Sequence, residues 1–330
     1  MKKLLFVVNE VGGLKPEQST TFLIVEALRV GHRVDVVGSG SLYCDEQGDI
    51  LAQGCTLEPD ASTTWSNNEV IRILKDAAST QVNLKSADLV WVRTNPARDN
   101  RKWAHENALV MLGFVHDAGT PVINDPWGLQ KASSKLYLNE FPLEIRPKTV
   151  VSKDVNVLKA FMKRVGGACV VKPLKGTHGR DVFKLKGEDS DNVNQILEIM
   201  TRTDYVIAQE FVPEATLGDV RLLVVDGELF EVDGKVAAVH RAPGGSDFRS
   251  NIHAGGVAKQ AVITPVMRGV IEKMKPVLKR DGIFFAGVDF IGTKIVEINV
   301  FSPGGLVDAE VFEKTAFTEH LIAAALTKCK

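Results

Sequence analysis

The stretch Val288-Asp289-Phe290-Ile291-Gly292-Thr293-Lys294-Ile295-Val296-Glu297-Ile298-Asn299 sets carboxylate and amide groups into two otherwise apolar strands around a Gly-Thr-Lys turn. Glu297 and Asn299 are two residues apart and share one side of their strand. A three-residue turn over 292–294 puts Asp289 opposite Glu297 on that side. A two-residue turn puts it on the other face, because the pairing slips by one. In the first register three hard oxygen donors converge. That suits Mg²⁺, which takes a few carboxylates and completes its shell with substrate phosphates and water. In the second register the hairpin simply carries a wet polar face.

Three other stretches carry chemistry. In Val170-Val171-Lys172-Pro173-Leu174-Lys175-Gly176-Thr177-His178-Gly179-Arg180 an apolar strand ends in a lysine before a glycine turn. Backbone N–H groups beside glycine approach an anion closely, and the lysine adds a point charge for phosphate; the plainer reading is an exposed hairpin turn. Residues 206–213, VIAQEFVP, form a strand that stops at a proline, leaving backbone groups free to pair with an adenine edge, although many strands end this way. Residues 241–256, RAPGGSDFRSNIHAGG, make a long Gly-rich connector bearing Arg241, Arg249, Asn251 and His253. Such a segment either closes over a reacting centre and excludes water or is an ordinary surface loop.

Other chemistries lack their residues. There is no G-x-x-x-x-G-K-[ST], no H-E-x-x-H and no G-x-S-x-G, which removes a P-loop, a zinc protease and an α/β-hydrolase elbow. With 40 Lys+Arg against 41 Asp+Glu the chain lacks the basic excess of a nucleic-acid binder. No apolar run approaches the roughly 18 residues of a membrane helix. Cys44, Cys55, Cys169 and Cys329 show no C-x-x-C spacing and read as reduced thiols of a cytoplasmic protein.

The elements that must position these groups fall into two textures. Over 1–125, strands at 4–8, 33–37, 88–93 and 121–123 alternate with helices at 20–30 and 101–118, the pattern of parallel βαβ units. The polar stretch 43–68 is too weakly periodic to assign. The end of the first strand lacks the G-x-G-x-x-G of a dinucleotide site, so an α/β doubly wound domain without a nicotinamide fingerprint is expected. From residue 168 strands at 169–172, 182–185, 206–211, 220–225 and 228–240 dominate, with Asp-Gly turns that suggest antiparallel hairpins. Helices are expected at 155–164, 192–202 and 265–279, with a last one over 308–326. This second region reads as α+β.

In this order the residues resemble the ATP-grasp ligases, and among them the prokaryotic-type glutathione synthetases, over nearly the whole chain. The resemblance rests on Lys172-Pro173-Leu174 with the glycine turn, and on Gly218-Asp219-Val220-Arg221 with Val224-Val225-Asp226-Gly227-Glu228. It rests also on Arg249-Ser250-Asn251 with Ala254-Gly255-Gly256, and on Gly287-Val288-Asp289 with Glu297-Ile298-Asn299-Val300 and Ser302-Pro303. Val92-Arg93-Thr94-Asn95-Pro96 sits where the family has an Arg-containing substrate loop, and Asn124-Asp125-Pro126 with Lys135 matches the start of the ATP-grasp region.

The resemblance implies an N-terminal domain over 1–125, a lid subdomain over 126–204 and a C-terminal core with the metal site over 205–330. It implies ATP and Mg²⁺ as cofactors, small-molecule acid and amino-acid substrates, and assembly as a homodimer or homotetramer. Lys135 and Lys172, with Gly176 and Gly179, would meet ATP phosphates. Gln209, Glu210 and Val212 would border the adenine, and Asp219 the ribose. Arg221 and Arg241 would hold phosphate or acyl phosphate, with Arg249 and Asn251 in the closing loop near the transferred phosphoryl group. Asp289, Glu297 and Asn299 would bind Mg²⁺, and Arg93, Gly255, Gly256 and Ser302 would contact substrate. The implied reaction activates a carboxylate as an acyl phosphate for attack by an amine, so positioning and charge neutralisation carry it rather than a nucleophile.

The sequence departs from the family pattern at Gly176-Thr177-His178-Gly179, which is one glycine short, at Thr94-Asn95-Pro96-Ala97, at His253, and in an apparent insertion over 230–235. These touch the lid or the acid, leaving another amino-acid or dipeptide ligase as the alternative. A nucleotide-binding module without chemistry is the non-enzymatic one.

Overall fold

The computed structural model describes residues 1–174, 181–187, 192–243 and 256–329. Six strands form the first sheet: β1 (Lys3–Val8), β2 (Arg33–Cys44), β3 (Ile50–Leu57), β4 (Thr80–Asn83), β5 (Leu89–Val92) and β6 (Val122–Ile123). Their order is β4-β3-β2-β1-β5-β6. The β2-β1-β5-β6 half is parallel, as the alternation with α1 (Ser19–Arg29) and α3 (Lys102–Asp117) predicts. The other half is antiparallel and lies largely where the sequence gives no clear period. Gly54 explains part of that silence: a Cβ there would stand 2.5 Å from the Val36 carbonyl oxygen, so close strand approach replaces a side-chain signal. Between β3 and β4 lies α2 (Asn67–Asp76), capped by the Ser66 side chain, which accepts from the Glu69 N–H.

After α4 (Pro126–Ala132) the chain builds a small antiparallel sheet from β7 (Thr149–Ser152), β8 (Cys169–Pro173), β9 (Phe183–Leu185) and β10 (Val206–Glu210), in the order β7-β10-β8-β9. Helices α5 (Val155–Val165) and α6 (Val193–Thr203) cover it. Leu158, Phe161, Met162, Val171, Leu197 and Val206 form a core of its own. Its inner strand β10 follows residue 204, while Leu129, Tyr137, Phe141 and Ile145 pack into a different, larger core.

The third sheet comprises β11 (Asp219–Val225), β12 (Glu228–Leu229), β15 (Ala238–Ala242), β16 (Val257–Gln260), β17 (Phe285–Ile291) and β18 (Lys294–Asn299), with the order β16-β15-β11-β17-β18 and β12 beside β11. Residues 230–235 carry the small hairpin of β13 (Glu231–Val232) and β14 (Lys235–Val236), and Phe230 buries its ring against Phe317. Helix α7 (Pro265–Arg280) packs on this sheet. The single helix expected over 308–326 is two, α8 (Leu306–Glu313) and α9 (Phe317–Leu326). Lys314 takes a left-handed φ of 53° that breaks the first helix, and Glu310 Oε1 accepts from the Thr318 N–H at 2.6 Å to start the second.

The first and third sheets share their cores. Leu5 and Val7 pack in one cluster with Leu222, Ile271 and Phe290, and Phe6 and Leu23 in another with Phe285 and Phe317. Asn124 joins the two parts. It is buried, its Nδ2 donates to the Phe285 and Val300 carbonyls at 2.8 and 2.5 Å, and its Oδ1 accepts from the Phe285 N–H at 2.7 Å. No helix among the described residues is long and apolar enough to cross a membrane.

Candidate active site

Strand alternation on the small sheet brings three side chains together. Thr149 lies directly opposite Gln209, and Lys172 is its diagonal neighbour on the far strand. Gln209 Nε2 donates to Thr149 Oγ1 at 3.0 Å, and Lys172 Nζ donates to Gln209 Oε1 at 3.2 Å. Lys135, at the start of a 3-10 turn, reaches over to donate to the Pro173 carbonyl at 3.2 Å. Lys135, Lys172, Thr149, Gln209, Ile207 and Val296 line one small pocket. Burial lowers the pKa of both lysines, Lys172 to about 8, while the Glu297 carboxylate opposes that shift. Two ammonium groups out of water, with one carboxylate acting on both, make a site that gains strongly from a polyanion.

The hairpin bearing Glu297 differs from the expected form while reaching the same pairing. Ile291 pairs with Lys294, so the turn has two residues rather than three. A register shift beyond Phe290↔Ile295 then restores Asp289↔Glu297. The extra residue is a β-bulge: Val296 and Glu297 together oppose Asp289, which puts Val296 on the pocket wall.

Asp289 is buried and heavily engaged. Arg221 donates to both of its oxygens at 2.7 Å, Arg241 Nη2 stands 2.8 Å from Oδ2, and Asn299 Nδ2 donates to Oδ2 at 3.2 Å. Arg241 also bonds to the buried Asp219, its directly opposite partner on β11. Burial works to raise the Asp289 pKa, but the two arginines outweigh it and hold the carboxyl below its usual range. Burial likewise works against the Arg241 charge, and Asp289 and Asp219 more than reverse that. The arginines expected at phosphate and the aspartate expected at ribose thus form one cluster with Asp289 among the described residues. Ser302 precedes Pro303, which lies against Gly287 beside Arg221: a Cβ on Gly287 would come within 3.1 Å of Pro303 Cβ and 3.2 Å of Arg221 Cδ.

The donor set fits Mg²⁺. Among the described residues no three His, Cys, Asp or Glu side chains cluster, so no all-protein cage exists. Mg²⁺ needs none when phosphates and water complete its shell. Asn299 gives its amide N–H to Asp289, which leaves its oxygen available on the same side of the strand as Glu297.

Arg93 lies in the interior, apart from this cluster. Its Nε donates to Thr20 Oγ1 at 3.2 Å, its guanidinium sits over the Trp91 and Phe285 rings, and both terminal nitrogens have no hydrogen-bond partner among the described residues. Burial pushes its pKa down to about 9. The loop that follows is pinned by residues the sequence reading did not single out. The Asn95 N–H donates to Asn9 Oδ1 at 2.6 Å and Asn9 Nδ2 returns a bond to the Asn95 carbonyl at 2.9 Å. Arg101 grips Asp99 through Nε and Nη2, and His105 Nε2 approaches Asp99 at 3.1 Å. Asn9 directly follows the apolar run 4–8, whereas Asp99, Arg101 and His105 carry no distinguishing pattern.

Of the remaining expected residues, Glu210 Oε2 accepts from the Lys148 N–H at 3.3 Å, and Val212 caps the 3-10 turn after β10. Gly256 immediately precedes β16. Gly176, Gly179, Arg249, Asn251 and Gly255 lie outside the described residues.

This arrangement of sheets is that of the ATP-grasp fold. The crystal structure of a D-cycloserine synthetase superposes with a TM-score of 0.63 at 16% identity, covering 98% of this chain and 99% of that one. D-alanyl-alanine synthetase A from Vibrio cholerae O1 biovar eltor superposes at 0.60 and 14%, covering 99% and 98%. At such identities the likeness is one of fold. Sequence comparison is more specific. The N-terminal domain of prokaryotic glutathione synthetase matches residues 2–130, and the ATP-grasp domain of the same family matches 134–314. The glutathione synthetase of Thermosynechococcus vestitus is 35% identical over 97% of this chain and 98% of its own length, and that of Synechocystis sp. 31% over 97% and 98%. The chain belongs to the prokaryotic glutathione synthetase family, and with it to the ligases that use ATP to form C–N bonds.

Proposed function

We propose that the chain is a glutathione synthetase, joining γ-glutamylcysteine to glycine at the expense of ATP. The observation that carries this reading is the pocket in which Lys135 and Lys172 are desolvated beside the hairpin whose Val296 lines it and whose Glu297 carboxylate acts on both lysines. Family membership supports the choice of acid and amine.

The acid carboxylate attacks the γ-phosphorus, and ADP leaves. The amine then attacks the acyl carbon, and phosphate leaves. Lys135 and Lys172 hold the phosphates of ATP, with Gln209, Glu210 and Val212 along the base. Glu297, Asn299 and Asp289 hold Mg²⁺, which when bound neutralises phosphate charge and orients the transferred group. Arg221 and Arg241 flank the acyl phosphate, where their guanidinium donors meet the developing negative charge. Arg249 and Asn251 belong to the closing loop, with Gly176 and Gly179 over the phosphates. Arg93, Gly255, Gly256 and Ser302 contact substrate. A cytoplasmic location and assembly as a homodimer or homotetramer belong to the same proposal through the family resemblance.

The test incubates the purified protein with ATP, MgCl₂, γ-glutamylcysteine and glycine and measures phosphate and glutathione. All four components are expected to be required. A panel of other acids and amines runs beside it, because Thr94-Asn95-Pro96-Ala97 departs from the family loop at the acid end. Turnover with a different pair alone transfers the reading to another ligase, and no stimulated ATP cleavage with any pair removes it.

A further inference from the structure

We propose that Thr149, acting through Gln209, is a positioning residue for Lys172, an inference that rests on the reading of this pocket as the ATP site. Thr149, Gln209 and Lys172 lie on three adjacent strands, β7, β10 and β8, and their side chains bond in series across the sheet. The direction of that series is fixed at its far end. Thr149 Oγ1 donates its only proton to the Pro147 carbonyl at 2.9 Å, so toward Gln209 the hydroxyl can only accept. The Gln209 amide must therefore present its NH₂ to Thr149 and its oxygen to Lys172. Reversed, the amide would aim N–H groups at an ammonium ion in a buried site, where unmatched polar groups are costly.

The choice of a neutral acceptor matters for function. A buried ammonium needs some partner, and a carboxylate in its place would hold it firmly and compete with a phosphate for it. An oriented amide oxygen steadies Lys172 without neutralising it. The Thr149 hydroxyl thus sets the geometry of a charge it does not touch.

Thr149→Val keeps the shape and removes the acceptor. The expected result is a KM for ATP raised roughly tenfold (about 1.4 kcal/mol) with kcat nearly unchanged, and recovery of the wild-type KM in Thr149→Ser. In a Gln209→Glu background, which has no N–H for Thr149 to receive, adding Thr149→Val should move KM for ATP little. A purely structural role would instead lower the melting temperature and the active fraction while leaving KM for ATP in place, and that result overturns the proposal. So does an undiminished Thr149→Val effect in the Gln209→Glu background. Calorimetric titration with MgADP separates the two levels. If the wild type binds no MgADP, the pocket reading fails. If the wild type binds and Thr149→Val binds equally tightly, the role of Thr149 alone fails.

Discussion

Asp289 lies where a charge is expensive, and the side chains around it explain why it stays ionised. It is 2% exposed, receives a two-bond grip from Arg221, and is approached by Arg241 and Asn299. Among the described residues the cluster with Asp219 pairs two cations with two anions, and removing one member deprives another of its partner. Breaking such a buried pair costs about 3–5 kcal/mol. Asp289→Asn is therefore expected to lower the unfolding free energy by about that much at neutral pH and to abolish ligase turnover. The pH dependence has a definite sign. Because the folded pKa is depressed, the contribution of Asp289 is fully present above its unfolded value, about 3.9, and fades as pH falls through the folded one. Urea unfolding of both proteins between pH 6 and pH 3 checks this: the gap between them should narrow only on the acid side. A gap constant down to pH 3 would mean that the arginines do not hold the carboxyl low. The residue types of the cluster stood out in the sequence, but their mutual pairing did not, since Arg221 and Asp289 are 68 positions apart and meet only through the β11–β17 ladder.

At the scale of elements, the β17–β18 hairpin shows what periodicity can and cannot deliver. Alternation placed Glu297 and Asn299 on one side of a strand, and the structure agrees. The pairing with Asp289 was reached through a three-residue turn, whereas the chain uses a two-residue turn and a bulge. Both routes add one residue to the same arm, and a hydrophobic pattern does not say where the extra residue sits. The parallel half of the first sheet was legible for the opposite reason: β1 and β5 are unbroken apolar runs with helices between them. Strand β3 and helix α2 were not, because one depends on the close approach at Gly54 and the other is short and mostly polar. The small sheet's Thr149 was invisible for a related reason, since its meaning comes from a neighbour 60 residues away. Gly287 carries a further consequence. Any Cβ there presses on Pro303 and on the Arg221 side chain, and overpacking of this kind costs about 1–3 kcal/mol. Gly287→Ala should displace Arg221 from Asp289, so activity is expected to fall by roughly tenfold or more while unfolding remains cooperative. Steady-state kinetics beside a thermal melt decide it; full activity would show that Arg221 is free to move without loss.

Across the whole molecule, the distribution of cores divides the chain differently from its order in sequence. The first and third sheets share two continuous clusters and are stitched by Asn124, whereas the small sheet closes on a core of its own. Elements that share a core should open together, and one with a separate core can open alone. Asn124 is the place to test this. Its amide satisfies two carbonyls and one N–H across the joint, and Asn124→Ala would leave these groups buried without partners at about 1–3 kcal/mol each. Hydrogen exchange on the variant should show protection falling steeply at β1 and β17 alike, because the joint belongs to both. Amides of β8 and β10 should lose less, since Leu158, Phe161, Val171 and Leu197 still pack around them. MgADP should then raise protection of β8 and β10 in the wild type, where Lys172 and Gln209 line the pocket, by more than it raises that of β1. An equal loss in all four strands on mutation would mean that the small sheet is not an independent unit.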